Sequence, residues 1–118
     1  MKILSVLLIT LSLTNVHSAE TIMKHTLQEE IKLNSSSKTV KVLSTPSFKL
    51  IGLGFKKDQI LEKHTTPTPA ILIVQSGSVN FKMSGATHLL KAGDYFEIPA
   101  NVEHEVIGLE DSWLYLAK

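Results

Sequence analysis

Cysteine and arginine are both missing from this 118-residue sequence. Without cysteine the chain can form no disulfide framework, no thiolate metal site and no thiol nucleophile, and we expect no lipid anchor on an N-terminal cysteine. Without arginine it lacks the planar, two-pronged cation that clamps carboxylates and phosphates. These absences exclude thiol chemistry and count against an oxyanion or nucleotide-phosphate ligand.

The first eighteen residues have the layout of a secretory signal peptide. Lys2 supplies a positive start, an apolar run covers residues 3–13, and Val16 and Ser18 precede a small-residue cut before Ala19. The run is too short to span a bilayer, which takes about 20 residues. We therefore predict an exported protein, periplasmic or secreted, with no stable membrane insertion once residues 1–18 are removed. The alternative is a buried N-terminal strand or helix of a cytosolic protein.

The charge balance points to no polyanionic partner. Removal of residues 1–18 takes Lys2 away and leaves eleven lysines against eleven acidic residues. A chain with no net positive charge has no broad basic surface for nucleic acid or anionic lipid. We therefore predict that it binds no nucleic acid.

Short apolar runs separated by Gly, Pro, Ser, Asn and Asp dominate the chain after residue 40. Many short strands at close spacing are typical of a sandwich or a barrel. We predict an all-β single domain, a small antiparallel β-barrel or jelly-roll over residues 40–118, preceded by an N-terminal arm over residues 19–39. The predicted strands are Val40–Ser44, Phe48–Phe55, Gln59–Lys63, Ile71–Gln75, Ser78–Met83, His88–Leu90, Tyr95–Ile98, Glu105–Leu109 and Trp113–Ala117.

Two sets of residues with regular spacing stand out between Asp58 and Gly108. The first set consists of Asp58, His64, Thr66, Ala70 and Gly77, and the second of Gly93, Pro99, Asn101, His104 and Gly108. In this order they resemble the two motifs of the cupin family, G-x5-H-x-H followed by E and G, and G-x5-P-x-G-x2-H-x3-N. Five of the ten motif positions are kept, and most of these shape the backbone. Asn101 replaces a glycine, and Asn tolerates the left-handed conformation better than most residues.

The resemblance implies a small barrel that holds a divalent transition metal with three histidines and a glutamate. Only His64 and His104 match those ligands, because Thr66 and Ala70 stand at the other two positions. Catalytic metal sites usually need about three protein ligands. We therefore expect the metal to be weakly bound or absent, unless Glu62 or His25 completes the set. Glu62 lies two residues before His64 and would share its face of a regular strand.

Alternation along the strands predicts a ligand pocket. If His64 and His104 face inward, the same alternation turns Leu72, Val74 and Val106 inward. The predicted pocket residues are His64, Thr66, Leu72, His104 and Val106, and Phe81, Phe96 and Ile98 are expected to complete the core. We expect Glu103 and Glu105 to point the other way, and His88 to lie on an exposed hairpin.

Three functions fit these features. The first is a non-catalytic module that binds a small molecule in the barrel, and it is the one we favour. The second is a metal-dependent oxygenase, isomerase or lyase that uses His64, His104 and an unconventional third ligand. The third is a homodimeric scaffold, for which Trp113 and Tyr115 on one face of an exposed last strand are the candidate contact, unless they cap the barrel.

Overall fold

The structure, a computed structural model, describes residues 25–44 and 48–118. The predicted signal peptide therefore lies outside the described residues. Among those residues, no helix has the length and apolar character needed to cross a membrane.

In the part of the chain that the structure describes, nine strands follow one short helix. The helix α1 covers Leu27–Glu30, and the strands are β1 (Thr39–Ser44), β2 (Leu50–Phe55), β3 (Ile60–His64), β4 (Ala70–Ser76), β5 (Ser78–Met83), β6 (Ala86–Lys91), β7 (Tyr95–Ile98), β8 (His104–Gly108) and β9 (Ser112–Ala117). They form a five-stranded sheet in the order β1-β2-β9-β4-β7 and a four-stranded sheet in the order β3-β8-β5-β6. All the pairings are antiparallel. The predicted all-β fold is confirmed, and the predicted strands match the observed ones to within a few residues.

The core lies between the two sheets. Strands of the five-stranded sheet contribute Leu53, Phe55, Leu72, Val74 and Leu114, while those of the other sheet contribute Val79, Phe81 and Val106, each at most 2% exposed. These residues form one contiguous apolar cluster. The inward orientation predicted for Leu72, Val74, Phe81, Ile98 and Val106 is confirmed, and Phe96 packs against the same cluster.

Several positions of the two motifs have a positive φ. Gly77 joins β4 to β5 with a φ of 86°, and Asn101 has a φ of 63°, as expected for a residue at a glycine position. Asp58, at the first glycine position of the first motif, also has a positive φ of 69°. Asp and Asn adopt this left-handed region more readily than most residues. The two motifs therefore keep the backbone shape even where the glycine is replaced.

The part of the N-terminal arm that the structure describes packs against the outside of the five-stranded sheet. Ile31 is fully buried, and its side chain fills the space where a Cβ atom on Gly52 or Gly54 would stand, 2.7 Å away in both cases. The indole N–H of Trp113 donates to the carbonyl of Ile31 at 3.0 Å. The arm therefore covers the outer face of β2 and β9.

This packing corrects the expectation for the last strand. The sequence predicts an exposed strand, but β9 lies between β2 and β4 inside the five-stranded sheet. Leu114 points into the core, so Trp113 and Tyr115 point outward by alternation. They do not cap the barrel, and Trp113 is held by the arm.

Candidate functional site

His64 and His104 meet on the inner face of the four-stranded sheet. His64 ends β3, His104 begins β8, and the two are direct partners in the antiparallel ladder. Their ring centroids lie 4.4 Å apart, with the ring planes tilted by 59°. The convergence predicted from the two motifs is thus present in the structure.

Both imidazoles are held in the same way. Nδ1 of His64 lies 2.7 Å from the carbonyl oxygen of Glu62, and Nδ1 of His104 lies 2.9 Å from that of Val102. A carbonyl oxygen can only accept, so each Nδ1 carries the hydrogen. In the neutral form of each ring, Nε2 is then a lone-pair acceptor. This is one of the two tautomers through which histidines bind metals, and it also suits a ligand that donates a hydrogen bond.

His104 is buried, whereas His64 is half-buried. Only 5% of His104 is exposed. Burial lowers the pKa of His104, the carbonyl of Val102 partly opposes this, and the neighbouring His64 lowers it further. The lowered pKa favours the neutral form of His104, in which Nε2 is available as an acceptor.

A row of aromatic rings extends the site along the inner face. Phe81 lies 5.9 Å from His104 and 4.6 Å from Phe96, measured between ring centroids, and His88 lies 4.8 Å from Phe96. His88 was expected on an exposed hairpin, which is wrong. It pairs with Phe81 across the β5–β6 hairpin and is half-buried on the same face.

Neither candidate third ligand joins the histidine pair. The β3–β8 ladder pairs Leu61 with Val106 and His64 with His104, so two residues of β3 face one residue of β8. Such a β-bulge shifts the alternation by one residue, and this turns the Glu62 side chain outward, contrary to our expectation. It is 76% exposed and lies 3.3 Å from the ammonium of Lys38.

His25 contacts Glu30 instead of the histidine pair. Its Nδ1 lies 3.6 Å from a carboxylate oxygen of Glu30 on the N-terminal arm. Within residues 25–44 and 48–118, no group of three or more His, Asp or Glu side chains is arranged to hold a metal ion.

The other predicted pocket residues differ in how deeply they are buried. Val106 follows His104 on the inner face of β8, and Leu72 lies on the opposite sheet, each only 1% exposed. Thr66 lies in the loop after β3, where its hydroxyl donates to the carbonyl of Thr68 and its own carbonyl accepts from Asn101. This last bond joins the loops of the two motifs beside the histidines.

A cavity of about 360 Å³ opens beside His104. It runs from Met83 and His104 over the end of the four-stranded sheet to the charged side chains of Lys63, Lys82, Glu103 and Glu105. Two lysines balance two glutamates, so these side chains give the cavity no marked preference for a cation or an anion.

A two-sheet antiparallel barrel with a pair of inward histidines defines the class of small β-barrel domains to which this chain belongs. The chain belongs to the cupin family, because the family described as the cupin domain matches residues 54–114. Comparison with curated proteins gave no match.

Solved structures of the same fold cover most of this chain. A conserved protein of unknown function from Streptococcus pyogenes is 18% identical, with a TM-score of 0.72 over 80% of this chain and 83% of that one. An RmlC-like cupin from Desulfovibrio desulfuricans is 19% identical, with a TM-score of 0.72 over 80% and 92%. A double-stranded β-helix protein from Klebsiella pneumoniae is also 19% identical, with a TM-score of 0.72 over 80% and 87%. At these identities the likeness concerns the fold alone.

The residues present do not fit the metal site that the family resemblance implies. That site needs three histidines and a glutamate, whereas Thr66 offers a hydroxyl already bonded to Thr68 and Ala70 offers no donor. Glu62 contacts Lys38 and His25 contacts Glu30, away from the histidine pair. These residues therefore support no reaction step through a metal held in the usual way.

Proposed function

We propose that the protein is an exported, non-catalytic binding module whose ligand contacts the free Nε2 atoms of His64 and His104. The observation that carries this proposal is the shared anchoring of the two rings through Nδ1. It leaves two acceptors on rings whose centroids lie 4.4 Å apart, and the candidate carboxylate of Glu62 points away from them.

The acceptors define the chemical class of the ligand. A neutral imidazole whose Nδ1–H is already bonded offers only a lone pair at Nε2. The ligand must therefore be a molecule that presents hydrogen-bond donors, such as hydroxyl or amino groups, or a metal ion that accepts electron pairs. Phe81 and Phe96 line the adjoining face, and apolar walls with few polar groups are usual for small-molecule sites.

Thermal unfolding with a panel of small molecules tests this proposal. Polyols, sugars and amines should stabilise the protein, whereas carboxylates of similar size should not. A ligand present at about 100 times its Kd adds about 2.7 kcal/mol of stability, which is easily detected in a protein of this size.

Two variants make the test specific. His64→Ala should abolish the ligand-dependent shift, while His25→Ala should keep it, since His25 is an exposed histidine that contacts Glu30 on the N-terminal arm. A shift that survives in His64→Ala, or a full panel without any shift, would contradict the proposal.

The export part of the proposal rests on the pattern of residues 1–18. Cell fractionation and the mass of the purified protein test it directly. We expect a chain that begins at Ala19 outside the cytoplasm. A cytoplasmic chain that keeps Met1–Ser18 would show that this part is wrong.

The homodimer also stays a proposal, and it has lost part of its support. Its candidate surface was the face of Trp113 and Tyr115, but the arm now holds Trp113 through Ile31. Light scattering at high protein concentration decides between a monomer and a dimer.

A further inference from the structure

The outer face of the five-stranded sheet is covered on one side only. The N-terminal arm covers β2 and the Trp113 end of β9 through Ile31. Towards the other edge of the sheet, Ile71 of β4 and Tyr95 of β7 are 39% and 65% exposed, so the described part of the chain leaves them open to solvent. Burial of such large apolar side chains is favourable. This half of the outer face is therefore a candidate for contact with another molecule.

Two rows of outward side chains cross β7, β4 and β9. The six residues are direct ladder partners: Tyr95, Ile73 and Tyr115 in one row, and Glu97, Ile71 and Ala117 in the next. Partners in an antiparallel ladder point to the same face, and the buried Leu72 and Val74 of β4 show that these rows point away from the core. We call the two rows together the free outer face. It is apolar apart from the Glu97 carboxylate and two tyrosine hydroxyls.

Opposite charges flank the free outer face. Glu97 lies on the edge strand β7, and Lys118 directly follows Ala117 at the end of β9, with β4 between the two strands. Both Glu97 and Lys118 line one cavity of about 580 Å³. In the part of the chain that the structure describes, neither of them belongs to an ion pair.

This arrangement is complementary to a second copy of itself. In a dimer with two-fold symmetry the same patch contacts itself, so a residue that meets a second residue of the partner is met by the partner in the same way. With the axis along β4, each β4 meets the other and each β7 lies over the partner's β9. Tyr95 then faces the partner's Tyr115, and Glu97 faces the partner's Lys118.

We propose that the free outer face is the contact surface of a symmetric homodimer. This inference rests on the homodimer proposal above and gives it a surface centred on β4 and β7, since the arm holds Trp113. Apolar and aromatic side chains form the centre of the contact, as is usual for interfaces between copies of one chain. The two ion pairs at its rim fix the orientation of the partner. His64 and His104 lie on the other sheet, so the dimer leaves their surroundings open.

Analytical ultracentrifugation of the purified protein over a series of concentrations tests this surface. The wild type should dimerise. Tyr95→Lys and Ile71→Lys each place an unpaired charge at the centre of the contact, and each should weaken the dimer by at least about tenfold. Leu89→Lys is the matched control, because Leu89 is 52% exposed but lies on β6 of the other sheet. It should dimerise as the wild type does, and since all three side chains are exposed, the fold should survive in each variant.

An exchange of charges between two variants tests the two-fold symmetry. Glu97→Lys and Lys118→Glu each bring like charges together at both rim contacts of their own homodimer. Each variant alone should therefore dimerise more weakly than the wild type. An equal mixture of the two should dimerise more strongly than either alone, because both rim contacts of the mixed dimer again join opposite charges.

The outcomes separate the proposals. A wild type that stays monomeric at every concentration, for instance because residues 19–24 of the same chain cover the free outer face, would overturn this inference and the homodimer proposal together. A wild-type dimer that Tyr95→Lys and Ile71→Lys leave unchanged, or a mixture of the charge variants without any gain, would overturn this surface alone. The proposed small-molecule function is judged independently, by the thermal shifts of His64→Ala.

Discussion

The rings of His64 and His104 lie 4.4 Å apart, and each is anchored through Nδ1 to a carbonyl two residues earlier in the chain. In the neutral form of both rings, this anchoring leaves each Nε2 as a lone-pair acceptor. It also makes protonation unfavourable, because a cationic His104 would be buried next to a second imidazole.

The burial of His104 predicts that the metal-free protein loses stability in mild acid. In the unfolded chain a histidine takes up its proton near pH 6.5, at about the ordinary pKa, whereas the folded protein lowers the pKa of His104. At pH values between the folded and the unfolded pKa, the unfolded chain binds more protons than the folded protein. The free energy of unfolding therefore falls as the pH drops below about 6.5. Thermal unfolding of the wild type and of His104→Gln across this range measures the effect. The variant should show a shallower pH dependence, and equal slopes would contradict the assignment to His104.

Replacing Gly77 should be far more costly than replacing Gly85. Both have positive φ, 86° and 77°, which costs an L-residue about 1–2 kcal/mol. A Cβ atom on Gly77 would also overlap the carbonyl of Asp111 and the hydroxyl of Ser112, whereas nothing lies within 4 Å of one on Gly85. We expect Gly85→Ala to lose only the conformational part and Gly77→Ala to exceed about 4 kcal/mol, a loss that single substitutions rarely reach. Urea unfolding compares them, and similar losses would show that the β4–β5 turn can shift.

Phe81 should contribute most of the stability of the aromatic row. Its side chain is fully buried and contacts both Phe96 and His104. Truncation of a buried phenylalanine usually costs about 3–5 kcal/mol. Phe48, which is 54% exposed, is the matched control, and Phe48→Ala should change the free energy of unfolding by no more than about 0.5 kcal/mol. Chemical denaturation of the two variants tests this difference.

The N-terminal arm should contribute to the stability of the folded barrel through Ile31. Ile31 is fully buried over Gly52 and Gly54, so Ile31→Ala should cost about 2–5 kcal/mol. Val40 is 52% exposed, so Val40→Ala serves as the control. It should change the free energy of unfolding by no more than about 0.5 kcal/mol. Limited proteolysis provides a second measurement, because Ile31→Ala should speed cleavage in residues 25–39. Equal stability of the two variants would mean that the arm is held mainly by other contacts.

Much of the fold follows from local sequence patterns, and half of the site from the family resemblance. The strands and the turn at Gly77 follow from local spacing, whereas the turn at Asn101 and the inward pair of His64 and His104 follow from the resemblance to the cupin motifs. The inner-face position of His88 was missed, although a signal was available. The two-residue turn at Ser84 and Gly85 pairs Met83 with Ala86 and Phe81 with His88 by simple counting, and this places His88 on the inner face.

The sequence by itself determined the elements and the shape of the turns, because alternation and left-handed turn residues act over a few neighbouring positions. The tertiary structure alone decided which side chains meet. The bulge in β3 turns Glu62 outward, the ladder brings Met83 beside His104, and the arm packs Ile31 onto Trp113. These contacts depend on the register between strands that are distant in the chain. Register is set by the packing of the whole barrel, which no local pattern records.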